Sequence, residues 1–297
     1  MGSLTAGERV TGGPRLHYLD WLRVVAIASV FVFHTLRPFG DEWHVNNAER
    51  SQALEDALFF FWTFGLALLF LVAGAGVRFA LRRRDSSTFV RERFSRLLVP
   101  FAVGTLLLAP PQAFIEAVHK GADTGRPLDF IGRWGAGVIE AFGRGISPTV
   151  FGVGFHLWFL GFLFAISIVA LPVCRLLLSG RGLAATTAWA ERSGWRGASL
   201  VFAVPIAIVI GIAAPFSSGE HDWFEVGWYL VYFVNGFVLF SDERFIAAVR
   251  RDAGVALAIA LASTVALARI DMGAWAEALP ERGIDWSYPA MGGLFAV

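Results

Sequence analysis

An all-α, polytopic transmembrane helical bundle is the fold class the sequence predicts, and three observations predict it. Hydrophobic residues make up 56% of the chain and charged residues only 16%, with a positive mean hydropathy. The apolar residues gather into runs of about 20, the length at which a helix crosses a hydrocarbon core. Those runs are continuous instead of alternating in short segments, which argues against a barrel of strands.

The first run, 19–39, contains Arg23 and His34 and is followed by Arg37-Pro38-Phe39 instead of the small residues of a cleavage site, so it reads as a retained span. Further spans are predicted near 58–80, 97–118, 150–178, 199–216, 224–241 and 253–270, with an eighth beginning near Tyr288. Prolines 100, 110, 111, 172 and 205 fall within or near them and are expected to bend them, which membrane helices tolerate. Glu225, Tyr229, Tyr232 and Asn235 place polar atoms along the sixth span, where interhelical hydrogen bonding is their commoner use. The last apolar run, Pro289 to Val297, is too short to cross a bilayer. The chain is therefore read as one membrane domain over 1–297, about seven to eight spans, incomplete at its C-terminus.

Charge asymmetry sets the expected orientation. With the N-terminus cytoplasmic, the tail and the segments 78–96, 175–198 and 242–252 hold sixteen Lys/Arg against eight on the other side, apart from Arg23 within the helix. Arg82-Arg83-Arg84 and Arg91, Arg93 and Arg96 contribute most to this positive-inside bias, and a multi-pass protein of the inner (plasma) membrane is expected. A single cysteine, Cys174, rules out an intrachain disulfide, and no Cys/His cluster has the spacing of a zinc site, so no metal is expected. Nothing suggests nucleic acid, and the oligomeric state is not written in the sequence. The bilayer itself is the one partner that composition demands.

Ionisable groups are costly in hydrocarbon, which singles out Arg23 and His34. Eleven residues at about 100° each return to within roughly 20° of the same helix face, about 16 Å further along the axis. One stripe of the first helix thus presents a guanidinium and, three turns on, an imidazole. Asp20, three residues before Arg23, is placed to pair with it and reduce the cost of burial. An arginine snorkelling to the headgroups and a packed histidine are the plainer alternative. His17, His44 and His119 lie at or outside span ends, and His221 falls in a loop; none is assigned a role.

Leu19-Asp20-Trp21-Leu22-Arg23, followed by ten residues and His34, resembles the opening of the acyltransferase-3 family of integral membrane acyltransferases. Phe70-Leu71-Val72-Ala73-Gly74 resembles that family's aromatic-rich second span. Arg93-Phe94-Ser95-Arg96 ahead of Pro100 resembles its Arg-x-x-Arg motif, and His156-Leu157-Trp158-Phe159-Leu160 a stretch common among its members. The likeness runs from about residue 16 to at least 165, and the family's usual ten spans exceed those counted here.

The resemblance implies that Arg23 and His34 are catalytic, with an acyl group, most simply acetyl, moving from cytoplasmic acyl-coenzyme A to a hydroxyl of an extracytoplasmic glycan or similar acceptor. No permanently bound cofactor is implied. An imidazole with an unperturbed pKa of about 6.5 suits His34 to general acid–base work. Arg93 and Arg96, near neighbours on a helix, match the donor's phosphates, which guanidinium groups bind bidentately. Arg23 is suited to donor polar groups or a developing oxyanion. His156 reads equally as a packed histidine, an interfacial residue or a second base, and Trp158 as an interface anchor or a surface for a sugar ring. Direct transfer and an acyl-histidine intermediate both remain open. So does a transporter, in which Asp20, Arg23 and His34 couple a proton or anion, and a noncatalytic scaffold.

Overall fold

The computed structural model describes residues 17–40, 44–143, 147–217 and 221–269, and among these every regular element is helical. Four helices are long and apolar enough to cross a membrane, five if one bent pair counts as a single span. The predicted eighth segment near Tyr288 lies outside the described residues.

The first span is α1 (His17–Leu36), extended by a 3-10 turn to Phe39, where Pro38 ends it. It packs mainly on α2 (Gln52–Leu81), a longer helix than predicted. Ser51 opens α2 by accepting the Leu54 N–H, which satisfies one of the four donors left over at a helix start.

The third span differs from the predicted 97–118 rod. The helix begins earlier, as α3 (Ser86–Arg93), passes through a π turn at Phe94–Leu98 and continues as α4 (Val99–Leu107). Pro100 explains the π turn. It has no N–H for the Arg96 carbonyl, and the chain answers by widening, with the Val99 N–H donating to the Phe94 carbonyl. The helix then bends by 44° into α5 (Ala109–His119), where Pro110 and Pro111 remove two more donors. An amphipathic helix, α6 (Pro127–Gly143), follows; it rests on α5 through a Phe114–Phe130 edge contact.

The fourth predicted span, 150–178, also proves to be several pieces. A 3-10 stretch (Pro148–Leu157) leads into α7 (Trp158–Val169), and α8 (Leu171–Leu178) restarts at Pro172. A short connection leads to α9 (Gly180–Glu191). The fifth span runs over Ala198–Phe216 with α10 (Ala203–Ala213) at its centre, and Gly197 takes the left-handed backbone (φ 86°) that starts it. The apolar α11 (Trp223–Leu239) is shorter than a full span, and α12 (Glu243–Arg269) carries Arg250, Arg251 and Asp252 in its first half.

The core sits between α2, α7 and α11, where Phe70, Phe162, Ile166, Phe233 and Phe237 are fully buried. The closest contact is between α2 and α11. A Cβ on Gly74 would collide with the Phe233 carbonyl, and one on Gly236 with the Leu71 carbonyl. Small residues of this kind let membrane helices touch backbone to backbone. Asn235 Nδ2 donates to the Phe202 carbonyl at 2.8 Å, the interhelical use predicted for that span. Cys174 is buried in α8 and Asp252 of α12 accepts from both the backbone N–H and the hydroxyl of Ser199.

Candidate active site

The bundle has two chemically different ends. At one, the α2–α3 connection carries Arg82, Arg83 and Arg84; at the other, α1 ends near His34 and the 3-10 stretch ahead of α7 carries His156.

A cleft of about 700 Å³ opens at the basic end, between α1, α2, the α3–π turn and α7. Its mouth is lined by Arg23, Arg83, Arg84, Arg93 and Arg96, and no carboxylate lines it. Further in, the walls become apolar: Ile27 and Val30 from α1, Leu69 and Val72 from α2, Phe159 and Leu163 from α7. Arg23, Ile27 and Val30 succeed each other at helical spacing, so the cleft follows one stripe of α1.

The mouth is built by identifiable contacts. Arg175 of α8 reaches across and donates from Nη1 to the Leu81 carbonyl (3.2 Å), from Nη2 to the Arg84 carbonyl (2.9 Å) and from Nε to Ser86 Oγ (3.0 Å). One side chain thus closes the C-terminus of α2 and fixes the loop that holds Arg83 and Arg84. Arg84 pairs with Glu92. Asp85 begins α3; hydrogen bonds led by the Ser87 hydroxyl hold its carboxyl at about 2, so it stays ionised near neutral pH. Arg93 lies over the Phe89 ring at 5.0 Å, a cation–π contact that braces it, while Arg96 is exposed. The π turn begins immediately after Arg93, so both arginines reach one cleft from a locally widened helix.

Arg23 pairs with Asp20 at 3.3 Å, and both side chains are more than a third exposed, so the pair contributes little to stability. Its position depends more on α2. A Cβ on Gly76 would stand 2.8 Å from Arg23 Nη2, which makes the bare backbone at Gly76 the floor on which the guanidinium rests. Gly76→Ala is expected to displace that guanidinium and lower turnover about tenfold, roughly 1.4 kcal/mol of barrier, without changing the melting temperature. Unchanged turnover would show that the position of Arg23 does not matter.

His34 lies one turn beyond the cleft's inner wall at Val30, about 6 Å along the helix axis. Its Nδ1 is 2.8 Å from the Val30 carbonyl, which only accepts, so Nδ1 carries the proton and the neutral ring has its basic lone pair on Nε2. The His156 ring stands 4.5 Å from His34, centroid to centroid, at 64°. His156 is presented by an unusual backbone: Phe155 has φ 50° and ψ −125°, a region that non-glycine residues avoid at a cost of about 1–3 kcal/mol. His44 joins them, 5.8 Å from His156, and its Nδ1 meets Glu116 Oε2 at 2.8 Å.

The sequence-predicted residues therefore divide into two groups. Arg23, Arg93 and Arg96 come together in the cleft; His34 and His156 come together at the opposite end. Trp158 lines neither. Its indole packs against Phe162 (5.0 Å) and His221 (4.4 Å) within the aromatic core. Sequence reasoning assigned nothing to His44 or Glu116, which are 72 residues apart and share no local motif. Among the described residues, no group of three or more His, Cys, Asp or Glu side chains is arranged to hold a metal ion.

A family profile for an acyltransferase domain, acyltransferase 3, matches residues 16–297. The chain belongs to the acyltransferase-3 family. No curated relative and no solved structure gives a significant match. Membership decides between the enzyme and the transporter that the sequence left open: acyltransferase-3 proteins transfer acyl groups, and this one carries the family's domain on a polytopic helical scaffold.

Proposed function

We propose that this acyltransferase moves an acetyl group from cytoplasmic acetyl-coenzyme A to a hydroxyl of an extracytoplasmic carbohydrate, with His34 as general base. One observation carries the reading: an arginine-lined cleft follows a single stripe of α1 and ends one turn short of an imidazole whose basic nitrogen is Nε2. The excess of Lys/Arg at the cleft's mouth supports a reading in which that end, and the N-terminus, face the cytoplasm of an inner membrane.

In this scheme Arg93 and Arg96 hold donor phosphates and the apolar throat receives the thioester arm. The acceptor hydroxyl gives its proton to His34 Nε2 as its oxygen bonds to the thioester carbon, and Arg23 steadies the donor's polar groups. The tetrahedral oxyanion then collapses, the carbon–sulfur bond breaks, and the departing thiolate takes the proton back from the imidazolium. Buried Cys174 takes no part. Direct transfer through a ternary complex needs no covalent intermediate, and the whole domain is read as one functional unit.

The test is to incubate the purified protein in lipid vesicles with acetyl-labelled acetyl-coenzyme A and a panel of glycans, then locate the label by mass spectrometry. Label in an ester on a glycan hydroxyl is the expected result. Label released only as acetate, or retained only on protein, would remove the carbohydrate acceptor from the reading.

A further inference from the structure

The histidine end holds more polar chemistry than a single base requires. Around His34 stand His156, His44, Glu116 and Gln112, contributed by the 3-10 stretch before α7, the α1–α2 connection and α5. Glu116 is central. An ionised carboxylate only accepts hydrogen bonds, so the His44 Nδ1 at 2.8 Å donates to it, which fixes that ring's tautomer and orientation. Lys120, one turn along α5, pairs with the same carboxylate and balances its charge. Gln112 Oε1 meets His156 Nδ1 at 3.3 Å, so α5 orients a second imidazole from its next turn. Nearby, the Asn46 backbone N–H donates to His119 Nε2 at 3.1 Å, which ties the α1–α2 connection to α5.

We propose that Glu116, His44 and His156 form the acceptor subsite, a ring of hydrogen-bond donors and acceptors that takes a hydroxyl-rich, uncharged molecule and turns one hydroxyl toward His34. The proposal rests on the reading of His34 as base. Three features support it. His156 is exposed and only 4.5 Å, ring to ring, from His34, so a molecule arriving from that end meets it first. The carboxylate there is matched by a lysine, whereas five arginines line the cleft mouth and outnumber Asp20 and Glu92, the carboxylates that pair with Arg23 and Arg84; the first suits a neutral polyol, the second a polyanion. The strained Phe155 backbone is placed immediately before His156, where strain that fixes a ligand-facing side chain is commonly kept. His44 and Glu116 are positioning residues in this account: they set the hydrogen-bond pattern around His156 and leave proton transfer to His34.

The test uses the full chain in nanodiscs with its histidines labelled with nitrogen-15, and methyl glucoside as the acceptor probe. In the wild type, methyl glucoside should shift the His44 and His156 ring resonances. Glu116→Gln, which leaves only a neutral acceptor for the His44 Nδ1–H, should shift that proton's resonance and weaken methyl glucoside binding at least tenfold, while acetyl-coenzyme A affinity stays within twofold. His44→Asn, which can still donate to Glu116, should restore part of the loss seen in His44→Ala. No ring shift with methyl glucoside, or a Glu116→Gln affinity equal to wild type, would overturn the subsite. A parallel loss of donor affinity would likewise overturn it, by making Glu116 a general structural residue. Acyl transfer measured on the same samples reports separately: binding at the histidines without ester formation would sink the transfer to carbohydrate and leave the subsite standing.

Discussion

His34→Ala is expected to lower acyl transfer by about 10²–10⁴-fold, the usual worth of a positioned general acid–base, while the protein still inserts and folds. The ring is half-buried near the end of α1, and its Nδ1 bond goes to a carbonyl of its own helix, so its loss opens no gap in the α2–α7–α11 core. His34→Gln sharpens the test. Glutamine can donate to the Val30 carbonyl as the imidazole does, but it cannot carry a proton between an alcohol and a thiolate near neutral pH. Both variants should therefore be equally inactive, with acetyl-coenzyme A affinity retained. Turnover at the wild-type rate in either, measured as labelled ester, would take His34 out of the mechanism.

The second large effect is expected at the cleft mouth. Removing Arg93 and Arg96 together should raise the dissociation constant for acetyl-coenzyme A by about 10²-fold or more, since each charge-assisted contact is worth about 1.5–3 kcal/mol. Their charge is only partly shielded from water, so wild-type donor affinity should also fall as salt rises. Lysine at both positions should recover the salt dependence but only part of the affinity, because an ammonium cannot grip a phosphate with two parallel hydrogen bonds. Acceptor affinity should scarcely move. Equilibrium binding of the donor decides the matter: an unchanged constant in the double variant would return both arginines to the role of topology markers.

Much of the fold was legible because lipid makes stringent demands. Continuous apolar runs located most helices, and Asn235 was rightly read as an interhelical hydrogen-bonding group. What the runs concealed were breaks within them. Prolines 100, 110, 111 and 172 marked the places, but hydropathy cannot say whether a proline gives a gentle bend, a π turn or a fresh helix; that depends on which neighbouring N–H donates to the orphaned carbonyl.

The site was legible where it is local. Arg23 and His34 lie on one helix, and 3.6-residue periodicity aligned them; Arg93 and Arg96 are three apart. The contribution of α5 was not, because Glu116 meets His44 only through tertiary structure and both sit where polar residues ordinarily meet solvent. The surroundings of Trp158 were likewise set by tertiary structure: two residues beyond His156, it packs against Phe162 and His221.

Gly74 and Gly236 place two peptide carbonyls where methyl groups would otherwise stand, so α2 and α11 are locked like facing cogs without teeth to spare. Neither can rotate or slide without lifting off the other, which would expose the most deeply packed aromatics. Breathing of the cleft between one turnover and the next must therefore come from its other walls: α1, which grips chiefly α2, and the widened coil after Arg93, where a ladder already out of register can shift with the least loss.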